Sequence, residues 1–146
     1  FVYNATTGSA AFVGGVPVGL EYALDAVIGP PARASLESAV PGSAAVPGIT
    51  DVPEALRSWL DDVLVDIEGS GPRLRRALET LRSEGYLSHG ISDDEAPSRS
   101  GHSIERLNEL FTDRPMVGDA EQFAAAAALI ARELGFPSRV VLGYGP

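Results

Sequence analysis

The sequence has no cysteine, one methionine, one tryptophan and two histidines in 146 residues. This chain therefore supplies no disulfide, no thiolate metal site and no cysteine nucleophile. The compartment stays open, because an exported domain can also do without cysteine. Positive charge is scarce too: 11 basic residues stand against 20 acidic ones, a formal net charge of −9. That balance argues against nonspecific binding to nucleic acid or to an anionic membrane surface, both of which select basic side chains. Long apolar runs are missing as well. The longest, residues 123–131, is mostly alanine and reaches only half of the ~18 residues that a membrane span requires. The chain opens on Phe1-Val2-Tyr3-Asn4, without an initiator methionine or the basic flank of a signal peptide, and reads as a piece of something longer.

What is present fits one globular domain. A hydrophobic share of 45% with 21% charged residues is ordinary for a soluble fold, and the length suffices to bury a core. Residues 1–50, rich in Gly, Pro, Ala and Val, form an expected β-rich accessory segment, with strand candidates at 1–3, 10–13 and 20–28. Residues 41–53 hold three prolines and two glycines and read as a linker or loop. From Pro53 the period becomes helical. Leu56, Trp59, Leu60, Val63, Leu64 and Ile67 share one stripe, with Gly69 as the exit. A second helix is predicted over 72–84, stopped by Gly85, and a third over 103–111 with Ile104, Leu107 and Phe111 inward. Between them, 88–101 reads as a loop carrying Asp93, Asp94 and Glu95.

The last segment is the most specific. Gly118-Asp119-Ala120-Glu121-Gln122-Phe123 opens a helix predicted to run to about Leu134, with Asp119 as N-cap and Gln122 reaching back to it. No residue over 123–131 is polar, which predicts a helix buried on most sides. Gly135 suits a left-handed stop, and Pro137 prevents the helix from resuming. Residues 138–144 then read as a strand.

These residues, Gly118-Asp119-Ala120-Glu121-Gln122-Phe123-Ala124 and then Leu134-Gly135-Phe136-Pro137-Ser138-Arg139-Val140-Val141-Leu142-Gly143-Tyr144, resemble the core signature of the transglutaminase-like (papain-type) superfamily. Glu84-Gly85-Tyr86-Leu87-Ser88-His89-Gly90 and Arg99-Ser100-Gly101-His102 are similar to segments of its actinobacterial, membrane-anchored branch. The resemblance implies an α+β fold, with helices packed around a buried core helix and an antiparallel sheet, the core occupying 51–146. It also implies a domain on the extracytoplasmic face of the membrane, tethered only by segments outside this chain. In the family a cysteine sits at the first turn of the core helix, where helix dipole and free N–H groups stabilise its thiolate. A His and an Asp on later strands serve as base and orienting acid.

The nucleophile position is Ala120, and the chain ends at Pro146, before the segment where the resemblance puts the His and Asp. The expectation is a catalytically inactive domain that binds a peptide or cell-wall component, or acts as a scaffold. The cleft would be formed by Gly118, Asp119, Gln122 and Tyr144. The alternative is a fragment or Cys→Ala mutant of an active enzyme acting on amide bonds. Restoring cysteine at 120 alone is expected not to restore turnover. No cofactor is expected, and the net charge of −9 argues against a nucleic-acid partner. If strands that normally cover the core helix are lacking, an exposed edge would pair two copies as a homodimer.

Other residue types were weighed against structural roles. Glu121 is a candidate substitute acid or base, though an acid in a first helical turn ordinarily complements the helix dipole. His89, Asp93, Asp94 and His102 are candidate metal ligands, yet the thirteen-residue spacing of the two imidazoles matches no compact ligand motif. Ser88 beside His89 lacks the elbow of a serine nucleophile. Arg73, Arg75, Arg76 and Arg82 read as a solvated helix face.

Overall fold

The computed structural model describes residues 2–4, 9–15, 17–21, 23 and 36–142. Two compact units divide the chain, Phe1–Ala32 and Arg33–Pro146. In the first, β1 (Val2–Asn4) pairs antiparallel with β2 (Ser9–Ala11), Val2 opposite Ala11. These agree with two of the three short strands expected here. The third, over 20–28, lies largely outside the described residues, and 20, 21 and 23 have no regular structure.

The second unit is built from four helices and a small parallel sheet. α1 (Glu54–Val63) buries Leu56, Trp59, Leu60 and, just beyond its end, Leu64. These are in phase at helical spacing, so one face is removed from water. Pro53 precedes the helix and has no side-chain donor or acceptor to cap it. The Ala55 N–H is met instead from another helix, by Asn108 Oδ1 at 3.1 Å. The helix stops earlier than Gly69: Asp66 takes a left-handed φ of 60°, and Gly69, at φ 85°, precedes the next helix.

α2 (Ser70–Glu84) buries Leu74, Ala77 and Leu81. Its first turn passes against a short 3-10 helix, Leu36–Ser38, and here Gly71 is required by proximity. A Cβ at position 71 would lie 1.9 Å from the Leu36 carbonyl oxygen. The arginines lie on the more solvent-facing side of α2, as expected, with Arg75 bridging Glu37 and Glu79. β3 (Gly85–Leu87) continues directly from α2 and pairs parallel with β4 (Met116–Gly118). This corrects the antiparallel sheet expected for the core. Parallel strands need a long crossover, and the loop after β3 together with α3 (Ile104–Thr112) supplies it.

α3 opens on Ser103, whose side chain accepts from the Arg106 N–H. The Glu105 carboxyl is held below its ordinary range by a hydrogen bond from its own backbone and one from Ser103. Leu107, Leu110 and Phe111 are buried, and the Phe111 ring packs on Trp59 with centroids 5.3 Å apart.

α4 (Ala120–Glu133) completes the core through Ala126 and Ile130, both fully buried. It is less buried than expected: over 123–131 Ala126 and Ile130 are buried, Ala124 is exposed and the others are half-buried. Apolar composition alone does not bury a face, because alanine carries too little surface to demand it. Gly135 takes the left-handed φ of 85° expected after the helix, and the Phe136 N–H returns to the Ala131 carbonyl at 2.8 Å. The strand expected over 138–144 is not formed: residues 138–142 have no regular structure, and 143–144 lie outside the described residues. A strand needs a neighbour for its backbone groups, and no described strand pairs with this segment.

Candidate functional site

The start of α4 is fixed by a closed set of hydrogen bonds. Asp119 Oδ1 accepts from the N–H groups of Glu121 at 2.8 Å and Gln122 at 3.2 Å. Gln122 Oε1 in turn accepts the Asp119 N–H at 2.7 Å, completing the predicted capping box. Gln122 does more than cap. Fully buried, it donates through Nε2 to the carbonyls of Arg99 at 3.1 Å and Gly101 at 2.6 Å. One amide thereby ties the loop ahead of α3 to the first turn of α4.

That tie brings His102 alongside Glu121. The two oxygens of Glu121 are divided: Oε2 accepts the Gly101 N–H at 3.2 Å, and Oε1 lies 2.5 Å from His102 Nδ1. Arg106 steadies the same loop from below, donating to the carbonyls of Arg99 at 3.1 Å and Val117 at 2.8 Å. On the surface, the neighbouring carboxylate of Glu109 raises the Arg99 guanidinium further above its already high range.

His102, Ala120 and Glu121 form one end of a groove of about 680 Å³. Its remaining walls are Ala124 and Ala125 of α4, with Val140, Val141 and Leu142 opposite. A second hollow of about 310 Å³ shares His102 and Val140 and is bordered by Asp51, Ile104 and Leu129. The groove is mainly apolar, with an imidazole and a carboxylate at one end.

The sequence candidates are thus sorted. Ala120, Glu121 and His102 meet at the groove, whereas Asp119 and Gln122 are spent on the cap and on the loop. Gly118 ends β4 with its N–H and carbonyl in a crowded site: a Cβ there would sit 3.2 Å from Leu110 and 3.3 Å from Gln122. Its carbonyl accepts the Ser88 N–H at 2.8 Å. Tyr144 lies outside the described residues. The proposed metal ligands are not gathered: His102 is on Glu121, while the His89 backbone N–H is taken by Glu95 at 3.1 Å, with Asp93 and Asp94 exposed. Among the described residues no group of three or more His, Asp or Glu is placed to hold a metal ion. Ser88 is a buried loop tie, its hydroxyl donating to the Ala96 carbonyl at 2.5 Å.

Sequence reasoning missed the pairing of His102 with Glu121. One signal for it existed. Gln122 lies in phase with Ala126 and Ile130, and a polar side chain on a core stripe must find buried partners.

The catalytic chemistry of a thiol is absent, since Ala120 offers only a methyl group at the first turn of α4. No curated protein and no solved structure matches the chain. A family profile, described as the transglutaminase-like superfamily, matches residues 68–146, more than half of the chain and the whole span from α2 through α4. With that match, and with the capped core helix standing where the motif demands, the chain belongs to the transglutaminase-like superfamily.

Proposed function

We propose that this domain is a non-catalytic binding module, which takes an extended peptide or cell-wall component into the groove beside Ala120. The observation carrying this reading is that an alanine occupies the first turn of α4 and still faces an open, apolar-walled groove of about 680 Å³. Apolar walls with a few convergent polar groups at one end are the usual make-up of a ligand site. The chain has no cysteine, in keeping with a domain that binds without acyl transfer.

In this reading the domain belongs to an exported protein and works on the extracytoplasmic face of the membrane. No described helix is long and apolar enough to cross a membrane, so attachment would come from segments outside this chain. A homodimer is part of the same proposal. Val141 and Leu142 are 75% and 89% exposed, and an unpaired apolar segment of this kind offers itself to a second copy.

The test is titration of isotope-labelled domain with soluble muropeptides and with extended apolar peptides, followed by amide and methyl shifts. Saturable changes confined to Ala124, Ala125, Val141 and His102 are expected. Changes centred elsewhere, or none with either ligand class, would overturn the reading. Light scattering reads the dimer, and a strictly monomeric domain removes that part alone.

A further inference from the structure

We propose that His102, oriented by Glu121, is the hydrogen-bond-accepting group of the groove, presented to a ligand by the loop ahead of α3. It rests on the groove being the ligand site. The pair lies at the surface, with the His102 and Glu121 side chains 64% and 41% exposed, and it is held through the backbone around it. Glu121 Oε1 holds Nδ1 at 2.5 Å, its other oxygen holds the Gly101 N–H, and buried Gln122 clamps the Gly101 carbonyl at 2.6 Å. A carboxylate on Nδ1 selects the tautomer protonated there, which leaves the lone pair on Nε2. Among the described residues Nε2 has no partner, and the imidazole borders the same groove as Ala120.

The charged residues that line the two hollows beside His102 are Glu121 and Asp51. Glu121 faces it from α4, Asp119 sits one turn-start away on the same helix with Oδ1 engaged in capping, and Asp51 shares the adjoining hollow. With its lone pair on Nε2, His102 accepts a hydrogen bond from a ligand that presents an O–H or amide N–H at this end, while the ligand's apolar part lies against Ala124, Val141 and Leu142. Glu121 is the positioning residue, acting through His102.

The experiment uses the absence of cysteine, because a thiol introduced at position 120 is the sole thiol in the protein. Because positions 120 and 102 border one groove, the expected step in Ala120→Cys is transfer of the Sγ proton to His102 Nε2, giving thiolate and imidazolium. The thiolate then bonds to the methylene carbon of iodoacetamide as iodide leaves. Alkylation is followed against pH for Ala120→Cys alone and combined with His102→Gln or Glu121→Gln. The expected result is thiolate reactivity in Ala120→Cys well below the ordinary thiol range near ~8.5, and about a tenfold slower reaction at pH 6.5 with His102→Gln. Glu121→Gln should give an intermediate profile. Identical profiles for all three would overturn the proposal.

A second measurement needs no substitution at position 120. Nitrogen shifts of His102 in the unaltered chain should show Nδ1 protonated and Nε2 bare, with the preference lost in Glu121→Gln. Protonation on Nε2 instead would overturn the proposal even if the cysteine variants failed to fold. Neither readout uses a ligand, so a groove that binds no muropeptide or peptide refutes the binding reading and leaves these outcomes standing on their own.

Discussion

The two sides of α4 obey different rules although they share one sequence motif. On the inward side Gln122, Ala126 and Ile130 are fully buried against the other helices and β4. On the groove side Ala120 and Ala124 are exposed, and the facing Val141 and Leu142 are exposed as well. Close packing fixes side-chain volume on the first side and leaves it free on the second. A family motif can thus persist through its structural half while its chemical half changes. The glycines, the cap and the buried stripe hold the helix in place whether position 120 carries a thiol or a methyl group.

Stability measurements can break this comparison, and Ile130→Ala should have the largest effect. Removing a fully buried side chain leaves a cavity, and urea unfolding should register a loss of about 2–5 kcal/mol. Gln122→Leu comes next. It strands the Gly101 carbonyl and the Asp119 N–H and leaves the Arg99 carbonyl with Arg106 alone, for an expected loss of about 2–4 kcal/mol by the same measurement. Ala126→Leu should cost about 1–3 kcal/mol through overpacking. The identical exchange two residues earlier, Ala124→Leu, should change stability by less than about 0.5 kcal/mol. Equal effects at 124 and 126 would erase the distinction between the two sides.

Much of the helical framework was legible because its signals are local. The stripe from Leu56 to Leu64 marked α1, and Asp119 with Gln122 marked the capping box of α4. The end of α1 was misplaced because Asp66, not a glycine, takes the left-handed turn. β3 and β4 went unseen: each has three residues, too few for an alternating pattern, and each depends on a partner about thirty positions away, Tyr86 on Val117. The segment after Pro137 has the composition of a strand, yet that tendency is expressed only where a neighbour receives its backbone groups. At the site, the sequence placed Ala120 and Glu121 on the right turn. It assigned His102 to a different role, because the contact with Glu121 depends on how a loop folds back.

Gly85 shows a further gap between sequence signals and structural causes. Its φ of −74° is open to any residue, so the glycine is not there for a left-handed stop. A Cβ would lie 2.7 Å from the Phe123 ring and 2.7 Å from the Leu81 carbonyl oxygen. Close approach of α2 and α4 at the start of β3 is the reason for it.

The three hydrogen bonds of Gln122 have a consequence for the order in which the domain becomes complete. Two of them reach residues 23 and 21 positions earlier, so the first turn of α4 joins Arg106 of α3 in ordering the Arg99–Gly101 backbone. Closing so long a segment costs chain entropy, and the Gln122 bonds offset their share of it only once that turn exists. Fraying of the helix start therefore loosens the loop and leaves Arg106 as a remaining tie. The groove's polar end shares that loosening: whenever the first turn of α4 frays, His102 is released from Glu121.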